Sequence, residues 1–236
     1  MKTPNHCPIS VVIVTRNRAN YLAEALASVF AQTLLPSQIV VVDGHSSDNT
    51  KKVIQAWDGI NYILQNGLGL ASARNQGMKL CTGEWIAFLD SDDHWHPEKL
   101  AHQYAQFCDN PTLDACLCQV QFYLQEETAP HVGILHQQNE LVKTGLTPGA
   151  LLMRQSVIEE IGLFDESLQI ACDSDWFARL LDSTLAKFLL PKVLLYKRLH
   201  AHNLSANVQQ YRSEVLQMLK RSIARKKLKQ PANNTQ

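Results

Sequence analysis

From residue 9 onward, short runs of aliphatic and β-branched residues alternate with stretches whose apolar positions recur every three or four residues. Residues 9–15 are apolar at nearly every position, the pattern of a strand covered on both faces. A helix is predicted over 21–32, with Asn20 placed to cap it, then a strand over 39–43. Ser47 would cap a helix reaching about 57, and 60–65 makes a third strand. A glycine loop, a helix over 72–80 and a strand over 85–89 complete a βαβαβαβ order. That order predicts an α/β protein built on a doubly wound, mainly parallel sheet, with helices on both faces and ligands at the carboxyl ends of the strands.

The second half is less regular. A helix is placed after Pro97, which suits a first helical position, and a strand over 115–124, followed by an irregular stretch to about 147. A short strand over 150–153, a helix over 173–181, a strand over 188–196 and a last helix from about 208 follow. Residues from 231 read as a frayed end.

With 236 residues, 45% of them hydrophobic, the chain can enclose one sizeable core. We expect one domain over 1–206, its first half about 8–110 and its second about 111–206, with 207–236 as a helical tail. The 22 basic and 22 acidic residues cancel, which argues against a nucleic-acid partner. The cancellation hides an asymmetry: residues 210–229 hold seven basic side chains against Glu214 alone. Val215, Leu219 and Ile223 recur there at helical spacing, so the tail helix could lie on an anionic membrane surface, or pack on the body or a second subunit. Six cysteines show no CxxC pair and read as reduced thiols. The polar start and the absence of a long apolar run predict a cytoplasmic protein whose membrane contact, at the inner face, would be peripheral.

Three segments carry chemistry. In Phe88-Leu89-Asp90-Ser91-Asp92-Asp93 an apolar strand ends in three acids packed into four positions. Such density is tolerable around a cation, and hard oxygen ligands suit Mg²⁺ or Mn²⁺ bridging a diphosphate; the plain alternative is a solvated turn. Asp43 closes the strand Ile39-Val40-Val41-Val42 ahead of small polar residues, where it can accept a hydrogen bond from a base or ribose, or merely belong to a turn. The third segment, Gly67-Leu68-Gly69-Leu70-Ala71-Ser72, nearly spells a dinucleotide fingerprint, which keeps an NAD-dependent oxidoreductase as a competing reading. Against it, Ser72 replaces the last glycine and the loop follows the third strand where the first is usual.

In this order the segments resemble the family 2 glycosyltransferases of the GT-A fold, a Rossmann-like architecture. The match runs through Val14-Thr15-Arg16-Asn17, then Val40-Val41-Val42-Asp43-Gly44 with Ser46, Asp48 and Thr50, then Ala73-Arg74-Asn75 with Gly77, and the acidic strand end. The likeness spans roughly 9–205. It implies a metal-dependent transfer, with inversion, of a sugar from a nucleotide-diphosphate donor, commonly UDP-linked, to an acceptor hydroxyl in polysaccharide or glycoconjugate synthesis. By this resemblance Thr15, Arg16, Asn17, Asp43 and Arg74 would hold the nucleoside, Asp90 and Ser91 the ribose side, and Asp92 the metal, with Asp90 as partner and Asp93 nearby.

The acceptor half matches more loosely, through Gly162-Leu163-Phe164-Asp165-Glu166 and Cys172-Asp173-Ser174-Asp175. The resemblance makes Asp173 the catalytic base; Cys172 stands where the family has Glu, so Asp175 is kept as a second candidate. A plain helix cap is the bland reading of the same residues, and a binding module without a base is the non-enzymatic one. A late Arg198-Leu199-His200-Ala201-His202-Asn203-Leu204-Ser205 segment resembles one whose histidine approaches the metal or diphosphate, which gives His200, with His202 less favoured. His94 and His96 read as loop residues.

Overall fold

The computed structural model describes residues 7–124, 141–200 and 208–229. Its centre is a sheet in the order β3-β2-β1-β4-β8-β6-β9-β5, with β7 on β6. The first four strands are parallel: β1 (Cys7–Thr15) lies between β2 (Pro36–Asp43) and β4 (Trp85–Asp90), and β3 (Ile60–Leu64) forms the edge. Helices α1 (Ala19–Phe30), α2 (Thr50–Gln55) and α3 (Leu70–Lys79) connect them. The second half then joins the same sheet: β8 (Leu151–Arg154) runs antiparallel to β4 and to β6 (Ala115–Leu124), and β9 (Lys187–Leu199) runs parallel to β6.

The near-continuous apolar runs are explained by burial on both faces. Alternate residues of β1 and β2 feed two separate cores. Val11, Ile13 and Val41 pack with α1, while Val12, Val14, Val40 and Val42 pack with α3 and with α6 (Cys172–Asp182). Gly77 lets α3 approach the sheet, since a Cβ there would overlap Val12 Cγ1.

Several local expectations shift. The first helix starts at Ala19, so Asn20 lies inside it; the capping carboxylate is Asp48, whose Oδ2 accepts the Ala19 N–H at 3.1 Å. Asp48 Oδ1 also accepts the Thr50 N–H at 2.9 Å, so Asp48, and not Ser47, serves α2. Pro97 precedes α4 (Lys99–Asp109), whose N-cap is Glu98. The stretch read as irregular contains β7 (Leu141–Thr144); residues 125–140 lie outside the described ones. Two short elements were not foreseen, β5 (His94–Trp95) and α5 (Val157–Ile161).

The last helix, α7 (Val208–Lys229), packs along α6. Its inward face carries Glu214, Met218 and Ser222, all buried, while Val215 is only half-buried. Leu216, Leu219 and Ile223 stay exposed, while Tyr211 and Ser222 reach α6 by hydrogen bonds to Ser174 and Asp182. Among the described residues no helix is long and apolar enough to cross a membrane.

Candidate active site

At the carboxyl ends of β1 and β2 the parallel register places Thr15 beside Asp43. Both are buried. Asp43 Oδ1 accepts the Ser46 N–H at 2.9 Å and the Ser46 hydroxyl at 2.6 Å, and Oδ2 accepts the Tyr62 hydroxyl at 3.0 Å. Burial, and then that bond to Asp43, pushes the Tyr62 phenol up to about 12, so it stays a donor. Thr15 Oγ1 is buried without a hydrogen-bond partner among the described residues. Asn17 adopts φ 52° and ties the two loops together: its N–H donates to Ser46 Oγ at 2.8 Å and its Oδ1 accepts the Ser47 N–H at 2.8 Å. Arg16 is exposed beside Gly44.

The acidic strand end lies across the switch between β1 and β4. Arg74, 1% exposed, joins two distant acids: one guanidinium nitrogen pairs with Asp90 Oδ1 at 2.7 Å and another with Asp173 Oδ1. Lys197 Nζ sits 3.2 Å from Asp90 Oδ2 and 2.7 Å from Asp93 Oδ2. Burial alone would raise the Asp90 carboxyl, but Lys197 and Arg74 outweigh it and hold Asp90 far below the ordinary carboxylate range. Burial likewise disfavours the Lys197 ammonium, and Asp93, Asp90 and Asp92 together reverse that and keep it charged. Asp92 remains, its Oδ2 2.9 Å from His200 Nε2, whose ring stacks on Tyr21 at 5.3 Å between centroids. Ser91 is buried within the turn.

Among the described residues no three His, Cys, Asp or Glu side chains converge into a ready-made metal cage. Asp92 and His200 do form an adjacent carboxylate–imidazole pair, and a divalent ion that takes its other oxygens from a diphosphate and water needs few protein ligands. The pair fits such an ion. Asp90 does so less well, because both its oxygens already face cations.

At the start of α6 the two candidate bases part. Asp173 turns to Arg74 and leaves 27% of its side-chain surface exposed. Burial is the largest influence on its carboxyl and pushes it up, while Arg74 pulls it down. Asp175 is turned elsewhere, buried against Arg179 at 2.9 Å with Arg225 4.0 Å away. Cys172 is fully buried and its Sγ donates to Asp173 Oδ1 at 3.5 Å; burial first, then Asp173, pushes the thiol up to about 12, so it is neutral. The structure thus gathers Asp90 and Asp173 around the Arg74 guanidinium and sets Asp175 outside. His202 lies outside the described residues.

Two contributors escaped the sequence reading. Lys197 is one; two residues beyond the buried Leu195 on the same strand, it shares that face, and this was the available signal. Tyr62, on the edge strand, is the other, and nothing in its spacing pointed to Asp43. The Gly67–Gly69 loop also follows the edge strand β3, away from the switch point where dinucleotides bind. A hollow of about 460 Å³ between β3 and α3, lined in part by Asn66, Asn75 and Glu166, contains none of the acids above; Asn75 is already bonded to Phe164 and Glu166.

The chain is similar to several known proteins. Over 214 residues the chain is 29% identical to an uncharacterized glycosyltransferase of Rickettsia typhi, covering 85% of this chain and 67% of that protein. Over 105 residues it is 36% identical to the Escherichia coli UDP-Glc:alpha-D-GlcNAc-diphosphoundecaprenol beta-1,3-glucosyltransferase WfgD, covering 43% of this chain and 42% of that one. The chain therefore spans two thirds or less of the length of these relatives. Among solved structures, the mannosyltransferase PcManGT of Pyrobaculum calidifontis, in complex with GDP-Man and Mn²⁺, superposes with a TM-score of 0.68 at 20% identity, over 93% of this chain and 65% of that one. S. aureus TarS 1-349 in complex with UDP-GlcNAc gives 0.65 at 22% identity, over 84% and 60%. These likenesses show the fold. The profile of Glycosyl transferase family 2 matches residues 10–162, which hold the Thr15–Asp43 pair and the Asp90–Asp93 turn, and the chain belongs to that family.

Proposed function

We propose that the chain transfers a sugar, with inversion, from a nucleotide-diphosphate donor, UDP-linked by preference, to a hydroxyl of a glycan or lipid-linked acceptor in cell-surface polysaccharide synthesis. One observation carries this reading: a single buried guanidinium, Arg74, ties the acidic strand end of the donor half to Asp173 at the mouth of the acceptor half. That spacing allows a base and a leaving group to flank one reacting carbon. WfgD, by its name, uses UDP-Glc and a diphosphoundecaprenol acceptor, and the similar TarS and PcManGT structures are complexes with UDP-GlcNAc and GDP-Man, which supports this class of substrate.

In this reading the base stacks over the β1–β2 end, where Asp43 and the unpartnered Thr15 hydroxyl meet it. Asp92 and His200 would hold a Mn²⁺ or Mg²⁺ ion, which would neutralise charge on the departing diphosphate. Arg74 and Lys197 keep Asp90 ionised and fix positive charge on the same side. Asp173, partly exposed, accepts the acceptor's proton as the hydroxyl attacks; a single displacement from the opposite face inverts the anomeric centre.

The test combines a panel of UDP- and GDP-sugars with a mixture of glycan and lipid-linked acceptors, and reads the anomeric configuration of any product by NMR. We expect inversion, and Asp173→Asn should lower kcat roughly 10²- to 10⁴-fold with donor KM little changed. Retention, or an Asp173→Asn enzyme with wild-type kcat, would overturn the assignment of the base.

A further inference from the structure

α6 and α7 lie beyond the residues matched by the family profile, so what they do for the site must be read from their own contacts. α7 grips α6 along its whole length. Near the start the Tyr211 and Ser174 hydroxyls are 3.1 Å apart; near the end Ser222 Oγ donates to Asp182 at 2.7 Å, and Arg225 lies 3.9 Å from the same acid. Between these Glu214 turns inward and is 8% exposed. Its Oε2 accepts the N–H groups of Ile170 at 2.9 Å and Ala171 at 2.8 Å, and its Oε1 accepts that of Gln169 at 3.2 Å. Gln210 donates to Oε1 at 3.1 Å and orients the carboxylate from one turn earlier.

The three amides belong to the turn that leads directly into Cys172 and Asp173. Ala171, the N-cap of α6, has no polar side chain to cap the helix, and its own amide is taken up by Glu214. Burial disfavours the Glu214 carboxylate, but the Ala171, Ile170 and Gln169 amides and the Gln210 side chain hold it below its usual range, so it is charged when it grips the turn. It is also the sole acid among residues 210–229, and it points away from solvent.

We propose that Glu214 is a positioning residue: from the tail helix it fixes the 169–171 turn and thereby the placement of the Asp173 carboxylate against Arg74. The proposal rests on reading Asp173 as the base. It gives the basic tail a role in turnover and predicts that damage more than 40 residues along the chain from Asp173 is felt at the reacting atoms.

The experiment uses the full chain as wild type, Glu214→Ala, Glu214→Gln and Asp173→Asn. It measures UDP or GDP release from the nucleotide sugar turned over fastest by the wild type, together with thermal melting and hydrogen exchange of backbone amides. For Glu214→Ala we expect kcat to fall roughly 10- to 100-fold while donor KM stays within about twofold, since small misplacements of a reacting group carry such penalties. Faster exchange should be confined to residues 169–175. Glu214→Gln, which keeps its shape and one acceptor oxygen, should recover part of kcat; it also decides the matter if the alanine variant does not fold. Wild-type kcat in Glu214→Ala, or in Glu214→Gln where the alanine variant does not fold, beside an inactive Asp173→Asn overturns the proposal alone, whereas an active Asp173→Asn overturns the base reading beneath it. If no nucleotide sugar is turned over, the exchange arm decides, and unchanged protection of 169–175 sinks the idea.

Discussion

Lys99 shows how far a single side chain can depart from its usual surroundings. It is wholly buried, with Nζ 4.2 Å from the Trp95 ring centroid, 2.7 Å from Gln103 Oε1 and 3.4 Å from the Leu151 carbonyl. None of these contacts is with a carboxylate. Burial therefore dominates and lowers the ammonium from 10.5 to about 8. Between those values the unfolded chain binds more protons than the folded one, so this group makes folding more favourable as pH rises through the window. Cys116 and Cys118 beside it are pushed up by burial and act in the opposite direction. Comparison with Lys99→Met separates the two: the wild type should gain on the variant by about 1–3 kcal/mol between pH 7 and 10 in denaturant unfolding. A difference that stays constant with pH would mean the lysine is not buried as described. At this same scale Asp43, Asp90 and Asp173 stand out in the sequence because each ends a strand or opens a helix, and Asp92 through its motif, whereas Lys197 is placed by the pairing of β9 with β6.

The elements of the parallel first half were the legible ones. β1, β2, β3 and β4 announce themselves by long apolar runs, and the helices between them by period and length. Helix starts were less legible: α1 is capped from the next loop by Asp48, a contact between residues 29 apart that no local pattern shows. β5 has two residues and α5 five, too few to display any period, and β7 has four half-buried or exposed ones. Gly77 in the Ala-Arg-Asn-x-Gly motif could be read only as a motif member; the structure gives its reason, the contact of α3 with Val12. Gly77→Ala should cost about 1–3 kcal/mol, the overpacking against a stiff Val12 side chain exceeding the gain of roughly 1 kcal/mol in helix propensity. Thermal melting checks this, and an unchanged or raised melting temperature would count against the close packing.

For the molecule as a whole, one sheet joins a parallel half that sets Thr15 beside Asp43 and a mixed half that brings β9 and α6 to the same rim. Their meeting point is a network of Arg74 and Lys197 with Asp90, Asp93 and Asp173, next to which Asp92 and His200 form the pair suited to a divalent ion. The sequence could name these acids through their motifs, but which of them pair with fixed cations depends on contacts such as Lys197 to Asp93, 104 residues apart. The account depends on this corner gripping the diphosphate of a nucleotide. Calorimetric titration of UDP into the wild type and Asp92→Ala, each with and without Mn²⁺, tests that most directly. We expect Mn²⁺ to tighten UDP binding by the wild type about tenfold or more, and Asp92→Ala to abolish that gain while still folding; equal Mn²⁺ enhancement in both proteins, or no UDP binding by the wild type under any condition, would contradict the account.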